Sequence, residues 1–334
     1  MTWLVTGGAG YIGSHVVRAL GEAGLKPVVV DDLSSGHRDF VQAGVHFTGA
    51  TILDGAALLR TLRDQQVTGV IHLAGFKYAG ESVKRPLHTY EQNVDGTSVL
   101  LAAMQEAGVD RLVFSSSAAV YGTPRVDLVT ENTPKAPESP YGESKLVGEW
   151  LIRDQAVAVG LRHTSLRYFN VVGSGYPDLY DTSPHNLFPL VFDALLAGRT
   201  PQIFGDDYAT PDGTNVRDYV HVSDVAAAHV SAAQKLDAGE PLEPAYNLGS
   251  GDGLSVAQIM DAVARVTGIA FSPQIAARRL GDPPRIVAAG ELAARDLDWR
   301  MRYTVDEMVA SAWRAVGASG PNGASRHAAD GEEI

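Results

Sequence analysis

The chain has 334 residues, 45% of them apolar and 20% charged, enough for one large domain or two ordinary ones. Its net charge of −12 argues against a general nucleic-acid or membrane-surface binder, so an anionic ligand would need a local basic site. There is no cysteine, hence no disulfide, thiol nucleophile or zinc-thiolate centre, and no metal site is expected. No apolar run approaches the ~20 residues that span a bilayer. The chain enters a strand at once, without signal-peptide regions, so a soluble cytoplasmic protein is expected.

Short runs rich in Val and Leu open the chain and alternate with helical ones. Strands are expected at 2–6, 28–31, 45–48, 70–73, 112–115 and 164–168, and helices at 11–23, 55–64, 90–107 and 141–159. Short, nearly continuous apolar strands suit a sheet covered on both faces. The alternation predicts an α/β fold, a Rossmann-type doubly wound parallel sheet with right-handed crossovers, over residues 1–170. From 171 the texture changes. Loops are expected at 171–185, 203–215 and 278–284, helices at 223–235 and 255–266, and one buried strand at 245–248. Residues 171–316 read as a smaller, mixed α/β substrate-binding domain, with returns to the main sheet near 216–248. Residues 317–334 are small, polar and charged, and read as a disordered tail.

Gly7, Gly10 and Gly13 lie at the first strand-to-helix turn. Glycines there let the backbone approach a pyrophosphate, and the helix beginning near Tyr11 offers N–H groups and a positive dipole end. A glycine pattern alone is weak. Here an acidic residue, Asp31, follows 18 positions after Gly13 at the end of the second strand. Its charge suits ribose hydroxyls and repels a 2′-phosphate, which favours NAD over NADP. The first domain is therefore expected to bind NAD.

Tyr141 and Lys145 are four apart on a predicted helix, so they share one face, ~6 Å apart along the axis. A free tyrosine is a poor base at neutral pH, and a nearby ammonium favours its phenolate. Ser115, Ser116 and Ser117 end a strand at the carboxyl edge of the sheet, where such folds bind ligands. Ser117 can hydrogen-bond a reacting oxygen. Ser117, Tyr141 and Lys145 are the candidate catalytic residues.

These residues resemble the extended short-chain dehydrogenase/reductase superfamily, and within it the UDP-glucose 4-epimerases. The resemblance runs through nine ordered motifs: GGAGYIGSH at 7–15, GFKYAGESV at 75–83, SSSAAVYG at 115–122, PYGESK at 140–145, RYFN at 167–170, Asn186-Leu187, IFGDDY at 203–208, GTNVRDYVH at 213–221 and RRLGD at 278–282. It implies that Tyr141 takes the proton of a sugar 4-hydroxyl, that Lys145 holds the nicotinamide ribose, and that Ser117 steadies the 4-oxygen. It implies NAD contacts from Tyr11, Ile12, Asp32, Leu73, Ala74, Gly75, Lys77, Asn93 and Tyr168, besides the glycines and Asp31. A UDP-sugar would meet Lys77, Ser117, Ala118, Phe169, Asn170, Asn186, Leu187, Phe204, Arg217, Tyr219, Arg279, Asp282 and Ile286. Arg217 and Arg279 supply the positive charge a diphosphate needs, and Phe204 can pack on uracil.

The resemblance further implies a reaction. The C4 hydride passes to NAD, a 4-keto sugar forms, turns over while held by its UDP handle, and takes the hydride back on its other face. Lys77 and Asn186 match relatives that prefer plain hexoses. At Ile286, relatives vary between a bulky Tyr and a small residue, so UDP-glucose and UDP-galactose are expected as the main pair, with weaker activity on UDP-N-acetylglucosamine. A homodimer through the helical runs 90–107 and 141–159 is likewise implied. Three positions depart from the family pattern: Gly49-Ala50, where an Asp often meets adenine, Ala119, where Thr is common, and Tyr78, where Ala is common. A 4,6-dehydratase would carry an Asp-Glu pair where Ala118 and Ala119 stand, and a UDP-glucuronate decarboxylase a Glu at 119. A non-catalytic NAD-sensing protein would have lost Tyr141 or Lys145.

Overall fold

The computed structural model describes residues 1–279 and 282–318. The first half alternates strand and helix: β1 (Thr2–Thr6), α1 (Tyr11–Glu22), β2 (Lys26–Asp31), β3 (His46–Gly49), α2 (Gly55–Asp64), β4 (Gly69–His72), α3 (Ala79–Lys84), α4 (Pro86–Tyr90), α5 (Gly96–Ala107), β5 (Arg111–Ser117), α6 (Pro140–Val159) and β6 (Arg162–Tyr168). The second half adds β7 (Asn170–Val172), α7 (Leu187–Leu196), β8 (Gln202–Phe204), β9 (Val216–Arg217), β10 (Tyr219–His221), α8 (Val222–Ala238), β11 (Ala245–Leu248), β12 (Leu254–Ser255), α9 (Val256–Thr267), β13 (Gln274–Ala276), β14 (Arg285–Ile286), α10 (Glu291–Asp296) and α11 (Val305–Ala318).

Seven strands form one parallel sheet in the order β11-β6-β5-β4-β1-β2-β3. The chain winds outward from β1 in both directions. The switch point therefore lies at the carboxyl ends of β1 and β4, where an open α/β sheet leaves a crevice for a ligand. Leu4, Val5, Val28, Val29, Val70, Ile71, Leu112 and Val113 are wholly buried, as strands covered on both faces require. One face packs on Val16, Val17 and Leu20 of α1 and Val225, Ala228 and Ala232 of α8. The other packs on Leu58 and Leu62 of α2, Leu100 and Met104 of α5, and Ile152 of α6. Each such aliphatic side chain contributes roughly 1.5–3 kcal/mol on burial. A third apolar cluster joins α7, α9 and α11 through Phe188, Phe192, Ile259, Val263, Met308 and Val309.

The helix expected at 90–107 differs. It is α4 and α5 joined by one wider, π-helical turn, Glu91–Asp95. A period of 3.6 carries no sign of an inserted residue, and such turns concentrate at functional sites. The expected loop at 171–185 begins inside β7, and that at 203–215 inside β8. α7 was not expected because nearly all its residues are apolar and it shows no polar stripe. Of the expected tail, Gly317 and Ala318 close α11, and 319–334 lie outside the described residues.

Candidate active site

The β1–α1 turn is built around its glycines. Gly7 has φ 72°, a left-handed conformation that side chains disfavour, and its carbonyl accepts from Gly10 N at 3.1 Å. A Cβ on Gly13 would stand 2.0 Å from the Gly7 carbonyl oxygen, whereas one on Gly10 would meet only that oxygen, at 3.3 Å. Gly13 is thus required by the fold, while Gly10 leaves open the space in front of the α1 N-terminus. That terminus carries no side-chain cap, so its first amides face the cleft side with the positive end of the dipole.

Asp31 ends β2 and is buried. Its carboxylate accepts from Ala9 N at 2.9 Å and Leu33 N at 2.8 Å, which fixes its direction. Burial raises its pKa against the lowering effect of these two bonds. Asp32 is exposed beside it, and holds Ser34 through its amide and hydroxyl.

A cleft of about 1340 Å³ runs from this turn across the switch point to the second half. A site for one drug-sized ligand holds ≈ 300–1,000 Å³, so there is room for a dinucleotide and a second ligand. Gly7, Gly10, Tyr11, Ile12, Gly13, Asp31, Asp32, Leu73, Ala74, Gly75 and Lys77 line its first part. Tyr141, Lys145, Tyr168, Phe169 and Asn170 line its middle, and Asn186, Leu187, Phe204, Arg217, Tyr219, Arg279 and Asp282 its far part. Ala50 and Tyr78, two of the departures from the family pattern, also face it.

Four expected site residues do not line the cleft. Asn93 is buried behind the wall. Its amide spans Phe76 N (2.7 Å), Phe76 O (3.0 Å) and Ser144 Oγ (2.8 Å), so it clamps the loop bearing Lys77 onto α6. The π-helical turn aims it there. Ser117 lies one step back, near enough to Tyr141 to lower the phenol's pKa, with Oγ accepting from Ala119 N at 3.2 Å. Ala118 and Ile286 belong to a small apolar cluster with Val120, Tyr121, Val129 and Leu146, against which Phe169 packs. Phe169 itself lines the cleft, whereas Ile286 does not.

Lys145 is buried and donates from Nζ to the Ser115 carbonyl at 3.0 Å, with Nζ 5.9 Å from the centre of the Tyr141 ring. Burial pulls its pKa down to about 8. Burial pushes the Tyr141 phenol up, and the Ser117 hydrogen bond opposes that. The sequence leads one to expect an ammonium lowering the phenol. In the protein alone, Ser117 makes that contribution. Lys77 is reached by solvent, yet the cleft walls lower its ammonium pKa while Asp181 and Asp31 favour its charge.

At the far end, Arg217 is buried, with Nη1 donating to Val216 O (2.9 Å) and Pro283 O (2.7 Å) and Nη2 3.6 Å from Asp282. Among the described residues Nη2 has no hydrogen-bond partner beyond that ion-pair contact. A buried donor without a partner is costly, and an anion in the cleft would satisfy it. Arg279 stacks on Phe204 at 4.1 Å, so a guanidinium covers one face of that ring. Asn186 caps α7 by position and donates to Asp181 at 2.7 Å. Asp181, His185, Phe76 and Arg85 also line the cleft. Phe76 lies within the motif at 75–83 without having been singled out, and the other three sit on a loop and a short helical junction outside every motif.

A glycine turn, a strand-ending Asp and a Tyr–Lys pair in the cleft around one switch point define a dinucleotide-binding protein of the Rossmann type. The model of the NAD dependent epimerase/dehydratase family matches residues 3–249. The UDP-glucose 4-epimerase of Lacticaseibacillus casei is 42% identical over 94% of this chain and 96% of its own. The solved UDP-glucose 4-epimerase from Brucella ovis in complex with NAD is 40% identical, with a TM-score of 0.89, covering 93% of this chain and 97% of that one. That from Bifidobacterium longum in complex with NAD+ and UDP is 36% identical, with a TM-score of 0.90, covering 97% and 100%. The chain belongs to the NAD-dependent epimerase/dehydratase family, in the company of its UDP-glucose 4-epimerases.

Proposed function

We propose that the protein interconverts UDP-glucose and UDP-galactose by NAD-dependent epimerisation at C4. The observation that carries this reading is the Tyr141–Lys145 pair at the switch point, Tyr141 facing the cleft and Lys145 buried beneath it, with Ser117 placed to lower the phenol's pKa. The residues present fit NAD: the open space before Gly10, the uncapped α1 N-terminus and the fixed carboxylate of Asp31 suit a pyrophosphate and ribose hydroxyls. When bound, NAD supplies a carrier that takes a hydride from the sugar and gives it back.

Tyr141 takes the proton of the sugar 4-hydroxyl and later returns it. Ser117 holds the phenol, and through it the 4-oxygen, in line. Lys145 holds the nicotinamide ribose and stabilises the phenolate. Arg217 and Arg279 bind the diphosphate, and Asp282 accepts from the uridine ribose. Binding energy placed on the nucleotide leaves the sugar free to present its other face. Ala118 and Ala119 supply neither the acid nor the base that a 4,6-dehydratase requires.

The width of the sugar end is set by Phe169, with Ile286 acting behind it, so an N-acetyl group is discriminated only partly. The protein is a cytoplasmic homodimer in this reading. Among the described residues no helix is long and apolar enough to cross a membrane. α3, α4 and α6 leave Val83, Leu87, Trp150 and Val157 exposed at 63%, 83%, 48% and 86%. A panel of UDP-sugars assayed with the purified protein tests the function. UDP-galactose and UDP-glucose should interconvert fastest, with UDP-N-acetylglucosamine slower. Bound NAD without turnover of any of them would leave an NAD-binding protein that is not an epimerase.

A further inference from the structure

Tyr141, Lys145 and Glu149 follow one another in steps of four along α6 and share a face. Glu149 has no part in the chemistry above, yet it is buried and fully engaged. Its Oε1 accepts from Ser116 Oγ at 2.6 Å and from Arg167 Nε at 2.8 Å, and its Oε2 from Arg167 Nη2 at 2.5 Å. Arg167 Nη1 donates to the Tyr121 hydroxyl at 2.7 Å, which donates to Asn247 Oδ1 at 2.8 Å. The ion pair is almost dry, with side-chain exposures of 5% for Arg167 and 11% for Glu149.

The partners are placed tellingly. Ser116 and Arg167 are direct neighbours across the β5–β6 ladder, and the next rung is Ser117 with Tyr168. The carboxylate of Glu149 therefore ties α6, which carries Tyr141 and Lys145, to the rung just before the one that carries Ser117 and Tyr168. A buried ion pair is a poor source of stability, because desolvation offsets its attraction. A bidentate Arg–carboxylate pair does impose geometry.

We propose that Glu149 is a positioning residue: with Arg167 and Ser116 it holds α6 in register with the ends of β5 and β6, so that the Tyr141 phenol stays on Ser117. The proposal rests on the catalytic reading of Tyr141.

The test uses the NAD-loaded protein and two variants, Glu149→Gln and Ser116→Ala. The second keeps both charges, so it folds even where the first leaves Arg167 uncompensated. Two readouts are taken. One is kcat per bound NAD and KM for UDP-galactose. The other is the titration midpoint of Tyr141, read by ultraviolet difference absorbance against the same protein carrying Tyr141→Phe. Misplacing a reacting group by a fraction of an ångström to an ångström costs up to about 10²-fold. Glu149→Gln should lower kcat by about 10-fold or more and Ser116→Ala by about 3-fold. In both, KM should be unchanged and the Tyr141 midpoint should move up as its bond to Ser117 loosens. The double variant should be no worse than Glu149→Gln alone. A lower melting temperature with unchanged kcat per NAD and an unchanged midpoint in both variants would overturn the proposal. Failure of the wild type to turn over UDP-galactose would count against the functional reading instead, and the titration would still decide on Glu149.

Discussion

Lys145 shows how one residue carries both chemistry and cost. Its folded pKa is about 8 against 10.5 for a free lysine, because burial disfavours the charge. At neutral pH the folded protein holds that charge against desolvation. Between about pH 8 and 10.5 the unfolded chain binds this proton and the folded one does not, so this group stabilises the fold increasingly as pH rises. Lys145→Met should therefore raise the melting temperature of NAD-free protein at pH 7. That advantage should shrink from pH 8 toward 10.5, as seen in melts across the range. A constant difference would mean that the amine is not desolvated. That Tyr141 and Lys145 come together in the cleft was legible because a spacing of four on a helix fixes direction. That Ser117, Asn93, Ala118 and Ile286 stand off the cleft lining was not, because position along a chain does not say which side chain stands in front of another. Asn93 turns behind the wall through a π-helical turn, and Ile286 sits in the apolar cluster against which Phe169 packs.

Among the elements, the β1–α1 turn separates two requirements that look alike in sequence. Gly13 has no space for a Cβ, whereas Gly10 has φ −77° and nearly open space. Gly13→Ala should destabilise the protein by roughly 1–3 kcal/mol through overpacking. Gly10→Ala should change stability by less than about 0.5 kcal/mol. It should nevertheless weaken NAD binding by about tenfold or more, since a methyl group in the path of the pyrophosphate needs to cost only ~1.4 kcal/mol. Melting curves and NAD titration of the two variants check this. An unaltered NAD affinity in Gly10→Ala would remove the pyrophosphate from that position. The parallel strands of the first half were legible because each is short, apolar and separated by an amphipathic helix. α7 and the two- and three-residue strands β7, β8, β9, β10, β12, β13 and β14 were not. The first lacks a polar stripe, and the others are too short for a period to register.

For the whole molecule, the net charge of −12 contrasts with the cationic side chains that the cleft gathers, Lys77, Arg85, Lys145, Arg199, Arg217 and Arg279. An anionic ligand is thus drawn to one place on an otherwise repelling surface. The outer helices carry exposed apolar side chains instead. Trp150 and Val157 stand seven apart on α6 and are both exposed, close in sequence register to one another on one face. Trp150→Glu should convert the proposed dimer to a monomer in sedimentation at micromolar protein, with the fold retained by circular dichroism. A dimer that persists would move the interface elsewhere. The composition announced an acidic soluble protein, but only the fold brought the dispersed arginines to one end of the cleft.

The central claim is that Tyr141 moves the proton of the sugar 4-hydroxyl in an NAD-loaded epimerase. Tyr141→Phe removes one oxygen from a site whose shape is otherwise kept. Measured as kcat for UDP-galactose, with bound NAD quantified in the same preparation, the variant should retain NAD and lose a factor on the order of 10²–10⁴. Near-normal turnover with NAD in place would contradict the account.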